Sequence, residues 1–284
     1  MNGSFRTVEL SDPRFERDGL RLVTVKSPSL RRRADLTVWI PAVPTEGTTV
    51  PLVVLLHGVY GSHWGWAWKG GAHRIASALI AAGEIPPVVL AMPSDGLWGD
   101  GSGYVPHDEA DYERWIIDEV PAAAQQAAPC LASTSPLFLA GLSMGGFGAL
   151  RIGAKYRRAC AAMSGHSSVT RIRDLDDFVI ESRGEWSRED DDESVLAAMT
   201  GGRGPLPPFR FDCGTEDPLL SANRKLHREL DAAGIRHRYE EFSGGHTWPY
   251  WETHLADSLR FFAAVLADRE PRSKTEPGRR KPVD

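Results

Sequence analysis

The chain has 284 residues, 42% of them hydrophobic and 25% charged, which is ordinary globular content and enough for one sizeable core. A formal net charge of -5 and a pI of about 6.0 exclude a basic nucleic-acid-binding surface, since the basic clusters are only the Arg31–Arg33 run and the C-terminal tail. No apolar run approaches the roughly 18 residues of a membrane span, and no basic-then-apolar segment opens the chain, so neither a membrane partner nor a secretion signal is expected. Cys130, Cys160 and Cys213 are odd in number and far apart, without zinc spacing, and read as reduced thiols of a cytoplasmic protein.

In chain order, "LTVWIP" (Leu36–Pro41) reads as the first strand, ended by a proline. "PLVVLLHG" (Pro51–Gly58) is a continuous Val/Leu run of the kind found in a strand buried on both faces. "PPVVLAMP" (Pro86–Pro93), "PLFLAGLS" (Pro136–Ser143), "CAAMSG" (Cys160–Gly165), "FRFDCG" (Phe209–Gly214) and "HRYEEFSG" (His237–Gly244) follow as further strands. Helical patterns cover Ala72–Ala82, Asp111–Ala127, Gly146–Lys155, Ser221–Ala233 and Trp251–Ala267. Strands alternating with helices predict a mostly parallel central sheet with helices on both faces. Ser167 to Pro208 reads as an excursion between two strands, flanking a pocket; its acidic run Arg188–Glu193 suits a solvated helix start. Residues 1–268 are expected to form one domain, and the polar tail 269–284 to be disordered.

The stretch "LAGLSMGGFGAL" (Leu139–Leu150) places Ser143 between a strand and a helix, in the pattern Gly141-Leu142-Ser143-Met144-Gly145. This G-x-S-x-G pattern in a strand–turn–helix context is a nucleophile elbow: a sharp turn lifts the hydroxyl above the strand's carboxyl end. The alternative is a glycine-rich turn with no chemistry. A serine hydroxyl needs a base to take its proton, and that base needs an orienting acid. Both occur in the expected order, Asp217 in "FDCGTEDPLL" and His246 after the Gly-Gly turn of "YEEFSGGHTWPYW". Asp212 and Glu216 compete for the acid's place but lie before the end of the strand-turn. Of the nine histidines, His57 and His166 also sit near strand ends; His57 is read as orienting the loop after it, and His166 as lining the pocket.

An oxyanion hole should use the backbone N–H of Met144 and one from the loop after "LLHG", Val59 with Tyr60 as the alternative. Tryptophans crowd three strand-end loops, "GSHWGWAW", "SDGLWGDGSGY" and the turn after His246. They suggest an aromatic pocket formed by Tyr60, Trp64, Trp98, His166 and Trp248, or simple packing of the loops. Asp95, Asp100 and Asp108 lie in a glycine-rich loop but lack a calcium-loop pattern, so no metal and no cofactor is expected.

The stretches "LLHGVYGS", "GLSMGGFGAL", "DCGTEDPLL" and "GGHTWPYW", with the helix "YERWIIDEVPA", resemble the esterase family of α/β-hydrolases over roughly Leu36 to Ala267. That family's members include S-formylglutathione hydrolases, tributyrin, feruloyl and acetylxylan esterases, and mycolyltransferases. The resemblance implies the α/β-hydrolase fold, with Ser143 as nucleophile, His246 as base and Asp217 as the acid. It implies ester hydrolysis without fixing the substrate; the charged start of the Ser167–Pro208 excursion and the tryptophan-rich loops favour a compact pocket for short-chain, soluble esters. Transfer to an alcohol or sugar acceptor, a non-catalytic binding role and homo-oligomerisation stay open.

Overall fold

A run such as Leu52–Leu56 needs no polar alternation if apolar layers cover both of its sides, and that is where the chain places it. The computed structural model describes residues 5–42, 49–181 and 194–269. Among these, one sheet contains β1 (Val8–Leu10), β2 (Leu20–Lys26), β3 (Arg33–Trp39), β4 (Leu52–Leu56), β5 (Val89–Pro93), β6 (Leu137–Leu142), β7 (Cys160–His166), β8 (Phe209–Gly214) and β9 (Arg238–Phe242). Their order is β1-β2-β3-β5-β4-β6-β7-β8-β9. The pairs from β1 to β5 are antiparallel, and the strands from β5 through β9 run parallel.

The helices are α1 (Gly65–Trp68), α2 (Ala72–Ala81), α3 (Tyr112–Arg114), α4 (Val120–Ala127), α5 (Met144–Lys155), α6 (Val195–Gly201), α7 (Leu220–Ala232) and α8 (Trp248–Arg269). Side chains alternate across the sheet. Val54 and Leu56 join one apolar layer with Trp115, Phe147 and Leu226, while Val53 and Leu55 join the other with Trp66, Leu255 and Phe262. Burying each such side chain stabilises the fold by about 1.5–3 kcal/mol. The register sets Leu56 beside Gly141, Leu142 beside His166, His166 beside Asp212 and Gly214 beside Phe242. The carboxyl ends of β4, β6, β7, β8 and β9 therefore open along one edge, the place where open α/β sheets gather their sites.

Strands β4 to β9 fall where the apolar runs predict them, within a few residues. Strands β1 and β2 were not anticipated, although Leu20, Val23 and Val25 are buried there among more exposed neighbours. The expected helix Asp111–Ala127 is interrupted by a π-helical turn, Trp115–Glu119, in which the Val120 N–H bonds the Trp115 carbonyl five residues back. Pro121 follows at once and has no N–H to continue an ordinary ladder. The excursion holds a 3-10 helix, Ile172–Asp177, and then α6. Its acidic run Arg188–Glu193, and the tail from residue 270 onward, lie outside the described residues.

Glu113 of α3 is buried, and its carboxylate accepts from Arg151, Lys155 and Tyr156, tying α3 to the end of α5. Burial pulls this carboxyl's pKa up, but Arg151 beside it, then Tyr156 and Lys155, hold it below the ordinary glutamate value. A carboxyl with a depressed folded pKa stabilises fully above its unfolded value, about 4.3, and loses that contribution as pH falls through the folded pKa. Breaking a buried pair by removing one partner costs about 3–5 kcal/mol. Glu113→Gln should therefore lower Tm at pH 7 and make the loss of Tm below about pH 4 shallower. Thermal melts from pH 7 to pH 3 test this; an acid limb identical in variant and wild type would place the acid lability elsewhere.

Candidate active site

Strand β6 delivers Ser143 at φ +54° and ψ -120°, a conformation that costs a non-glycine residue about 1–3 kcal/mol. Its surroundings hold it there. The Ser143 N–H donates to the His166 carbonyl at 2.9 Å, and the Ser143 carbonyl accepts from Val169 at 3.1 Å and Phe147 at 3.2 Å. A Cβ at Gly141 would collide with the Gly145 carbonyl, and a Cβ at Gly145 with the carbonyls of Leu56 and His57. The flanking glycines thus let strand, turn and helix approach more closely than any side chain permits.

His246 sits in the turn after β9. Its Nε2 lies 3.0 Å from the Ser143 Oγ, and its Nδ1 lies 2.9 Å from Asp217 Oδ2. A carboxylate can only accept, so Nδ1 carries the proton and Nε2 turns its lone pair to the serine hydroxyl. The other oxygen of Asp217 accepts the Leu219 N–H at 2.8 Å, and its side chain is fully buried. Trp251 meets the His246 ring edge-on, with centroids 5.0 Å apart. The acid and imidazole loops are also joined by backbone: Thr215 N–H donates to Phe242 and Glu216 N–H to Gly244, at 2.8 and 3.0 Å.

Met144 opens α5, so its N–H has no acceptor within the helix. Of the two candidates after β4, Val59 and Tyr60, the Tyr60 N–H is taken by the Asp100 carbonyl at 2.8 Å. A Cβ on Gly101 would press on Val59 and Met144, so the Ser94–Tyr104 loop backs both residues. His57 orients the same region: its Nδ1–H donates to the Gly58 carbonyl at 2.7 Å, and its Nε2 accepts the Asp95 N–H at 3.0 Å.

A cleft of about 520 Å³ opens beside Ser143 and His246, with Tyr60, Trp64, Lys69, Phe178, Trp248 and Trp251 in its walls. Tyr60, Trp64 and Trp248 were anticipated; Lys69, Phe178 and Trp251 were not assigned to the pocket. Phe178 comes from the excursion, and its carbonyl accepts the Tyr60 hydroxyl. Lys69 rests its ammonium over the Trp248 ring, 5.6 Å from the centroid. Trp248 and Trp251, shortly after His246 in the sequence, hinted at this corner.

Two expected pocket residues lie elsewhere. Trp98 packs edge-on against His107, with centroids 4.6 Å apart, and lines a separate cavity with Arg32 and Tyr112. Its loop turns through positive φ at Gly96, Leu97 and Gly99, which carries the indole away from the cleft. His166 is wholly buried beneath the elbow. Its Nδ1 pairs with Asp212 and its Nε2 accepts from Ser258 at 2.8 Å, so only its backbone carbonyl reaches Ser143. Asp212, the rival acid, also receives the Tyr250 hydroxyl and pairs with Arg210, both at 2.9 Å. Burial pushes the Asp212 carboxyl up, but His166 and Arg210 outweigh it and hold the group below the ordinary aspartate value.

A model of the family described as "Putative esterase" matches residues 27–262. An acetyl esterase of Caldicellulosiruptor saccharolyticus is 24% identical over 78% of this chain and 86% of its own length. An esterase of Mycobacterium tuberculosis is 26% identical over 72% of this chain, which spans 50% of that relative. Among solved structures, a ferulic acid esterase superposes with a TM-score of 0.74 at 22% identity, covering 91% of this chain and 99% of its own. An S-formylglutathione hydrolase from Agrobacterium tumefaciens does so with a TM-score of 0.69 at 19% identity, covering 93% and 99%. Both likenesses are likenesses of fold. Matched by the family model over most of its length, the chain belongs to this esterase family of the α/β-hydrolase fold, a family of carboxylic ester hydrolases.

Proposed function

We propose that this protein is a serine carboxylesterase that cleaves small, soluble, short-chain esters through an acyl-enzyme. The observation that carries the reading is a pair of hydrogen bonds: the Ser143 hydroxyl donates to His246 Nε2 at 3.0 Å, and His246 Nδ1–H donates to Asp217 at 2.9 Å. In the first step His246 Nε2 takes the Ser143 proton as Oγ attacks the ester carbonyl carbon. The Val59 and Met144 N–H groups hold the oxyanion, each such donor contributing about 2.7–4 kcal/mol. The C–O bond to the alcohol breaks, and His246 returns the proton to that leaving oxygen. Water then attacks the acyl-enzyme by the same route, and the acid leaves with Ser143 restored. Asp217 keeps the imidazole in the tautomer this cycle needs.

The short-chain preference rests on the cleft. Its volume of about 520 Å³ is shared between acyl and alcohol groups, and bulky rings form its walls. Each buried methylene gains only about 0.8 kcal/mol, so a compact pocket stops rewarding length early. The relative named acetyl esterase points the same way. The start of the excursion is charged, and Arg171 is tied to Glu229 at 3.1 Å, which disfavours docking on a lipid surface. Among the described residues no helix is long and apolar enough to cross a membrane. The buried free thiols of Cys130, Cys160 and Cys213 support a cytoplasmic setting.

Ser143→Ala should lower kcat/KM by at least about 10³ with Tm unchanged, and abolish labelling by a fluorophosphonate. Asp217→Asn should lower kcat by about 10³–10⁴ through the wrong imidazole tautomer. If Asp212→Asn, refolded and melting normally, cost as much while Asp217→Asn cost little, the acid would be misassigned. Across p-nitrophenyl esters, kcat/KM should peak between about two and six acyl carbons, the range in which a compact pocket still gains from added methylenes. A specificity constant still climbing at decanoate would overturn the pocket reading while leaving the nucleophile untouched.

A further inference from the structure

The edge strand β9 begins directly after His237, at the end of the sheet away from Ser143. There two imidazoles and a carboxylate converge. His227 and Asp231 stand one helical turn apart on α7, so they share a face, and His237 approaches from the sheet. His227 Nδ1 lies 2.7 Å from His237 Nε2. Asp231 lies 3.5 Å from His227 Nε2 and 4.0 Å from His237 Nε2. One ligand atom from each residue can be chosen so that all lie within 4.8 Å of one another.

With both imidazoles neutral, the donors and acceptors of this cluster do not balance. His237 Nδ1–H donates to the Ile235 carbonyl at 2.7 Å, so its Nε2 is a bare lone pair. A neutral His227 has one N–H to give. If it donates from Nδ1 to His237, its Nε2 lone pair faces the Asp231 carboxylate. If it donates from Nε2 to Asp231, two lone pairs face each other across 2.7 Å. In the neutral cluster three electron-pair donors thus share one proton, a shortfall that either a second proton or a metal cation meets.

The rings are also held in place. His237 stacks on Phe209 and Phe211, with centroids 5.8 and 5.6 Å away, and its side chain is only 3% exposed. His227 stacks on Tyr239 at 4.8 Å. The Nδ1–H of His237 bound to a backbone carbonyl is the outer contact that orients metal-ligating histidines. Asp231, more than half exposed, leaves a path from solvent.

We propose that His227, Asp231 and His237 bind a divalent transition metal ion of the zinc class, clamping α7 to the edge strand β9. Two imidazole nitrogens and one carboxylate suit such an ion, with water as the fourth ligand, and not calcium or magnesium, which prefer all-oxygen shells. Tetrahedral coordination at 2.0–2.1 Å requires the two nitrogens to stand about 3.3 Å apart, so the half-exposed His227 ring swings outward by several tenths of an ångström on binding. The site is remote from the cleft and independent of the esterase chemistry.

The test is zinc chloride titrated into chelator-stripped full-length protein, followed by calorimetry and thermal melting. Wild type should bind one equivalent with a micromolar dissociation constant. At a hundredfold excess over that constant Tm should rise by about 5 °C. His227→Gln and Asp231→Asn lie on the helix surface and should melt like wild type without zinc, yet each should weaken binding at least tenfold and remove the Tm shift. His246→Ala should bind like wild type. No saturable binding in wild type would overturn the proposal. So would binding that survives both α7 substitutions, or that disappears in His246→Ala.

Discussion

The backbone of Ser143 is held at positive φ, and the geometry of the whole candidate-site edge follows from that strained residue. The turn persists because its surroundings over-determine it. Gly141 and Gly145 let β6, α5 and β4 touch at backbone distance, while hydrogen bonds fix both the N–H and the carbonyl of the serine. One of those bonds ends on the carbonyl of His166, whose ring is locked by Asp212 and Ser258. Two histidine–aspartate pairs therefore serve one serine. The inner pair, His166 with Asp212, is wholly buried and fixes the carbonyl that holds the turn. The outer pair, His246 with Asp217, has an imidazole 23% exposed to the cleft, where a proton can be exchanged with a substrate. Residue type does not separate the two roles; depth below the sheet edge does.

That distinction also marks what could be read from the sequence. A strand buried on both faces announces itself as a Val/Leu run, so β4 and its parallel neighbours were legible. The order Ser143, Asp217, His246 was legible because each residue lies in the turn just after a strand, and parallel pairing brings successive strand ends to one edge. His166 met the same criterion and was assigned to the pocket for that reason. It is still paired within β7, in register with Leu142 and Asp212, and so points into the molecule. Trp98 was misplaced because several left-handed residues in its loop redirect the ring, and the local composition does not reveal their combined rotation. Phe178 carried no signal: it reaches the cleft only because the excursion folds back onto Tyr60.

The glycine-rich loop Ser94–Tyr104 has a structural role that its aspartates explain. Asp95 gives one carboxylate oxygen to the Leu97 N–H and the other to the Ser102 N–H, at 2.9 and 2.7 Å. Its own N–H meets His57, and the Tyr104 hydroxyl donates to the His57 carbonyl at 3.1 Å. Asp100 offers its carbonyl to Tyr60. The Asp95 carboxylate shapes the loop from within, and the shaped loop supports the segment bearing the proposed oxyanion donor, Val59. Tyr60 thereby loses its N–H to the scaffold and contributes its ring to the cleft instead.

The proposed base stands on the least supported strand of the site. Among the described residues strand β9 has β8 as its single neighbour in the sheet, and its residues are only half-buried, with Arg238 exposed. An edge strand with a free row of N–H and carbonyl groups invites misalignment or pairing with another chain. Here charge blunts that edge and fastens it sideways: Arg224 grips Glu241, and buried Arg210 reaches Glu240, at 2.7 and 2.9 Å. An exposed pair is worth at most about 1 kcal/mol, so the Arg224 contact alone secures little. Position is set by the β8–β9 ladder, by the close approach of Gly214 and Gly244, and by the aromatic stack that holds His237 at the strand's start. Any further ligand bridging α7 and His237 would stiffen the end of β9 farthest from His246. The base loop would feel it only through five residues of strand, so stability and chemistry can be adjusted separately at the two ends of the same element.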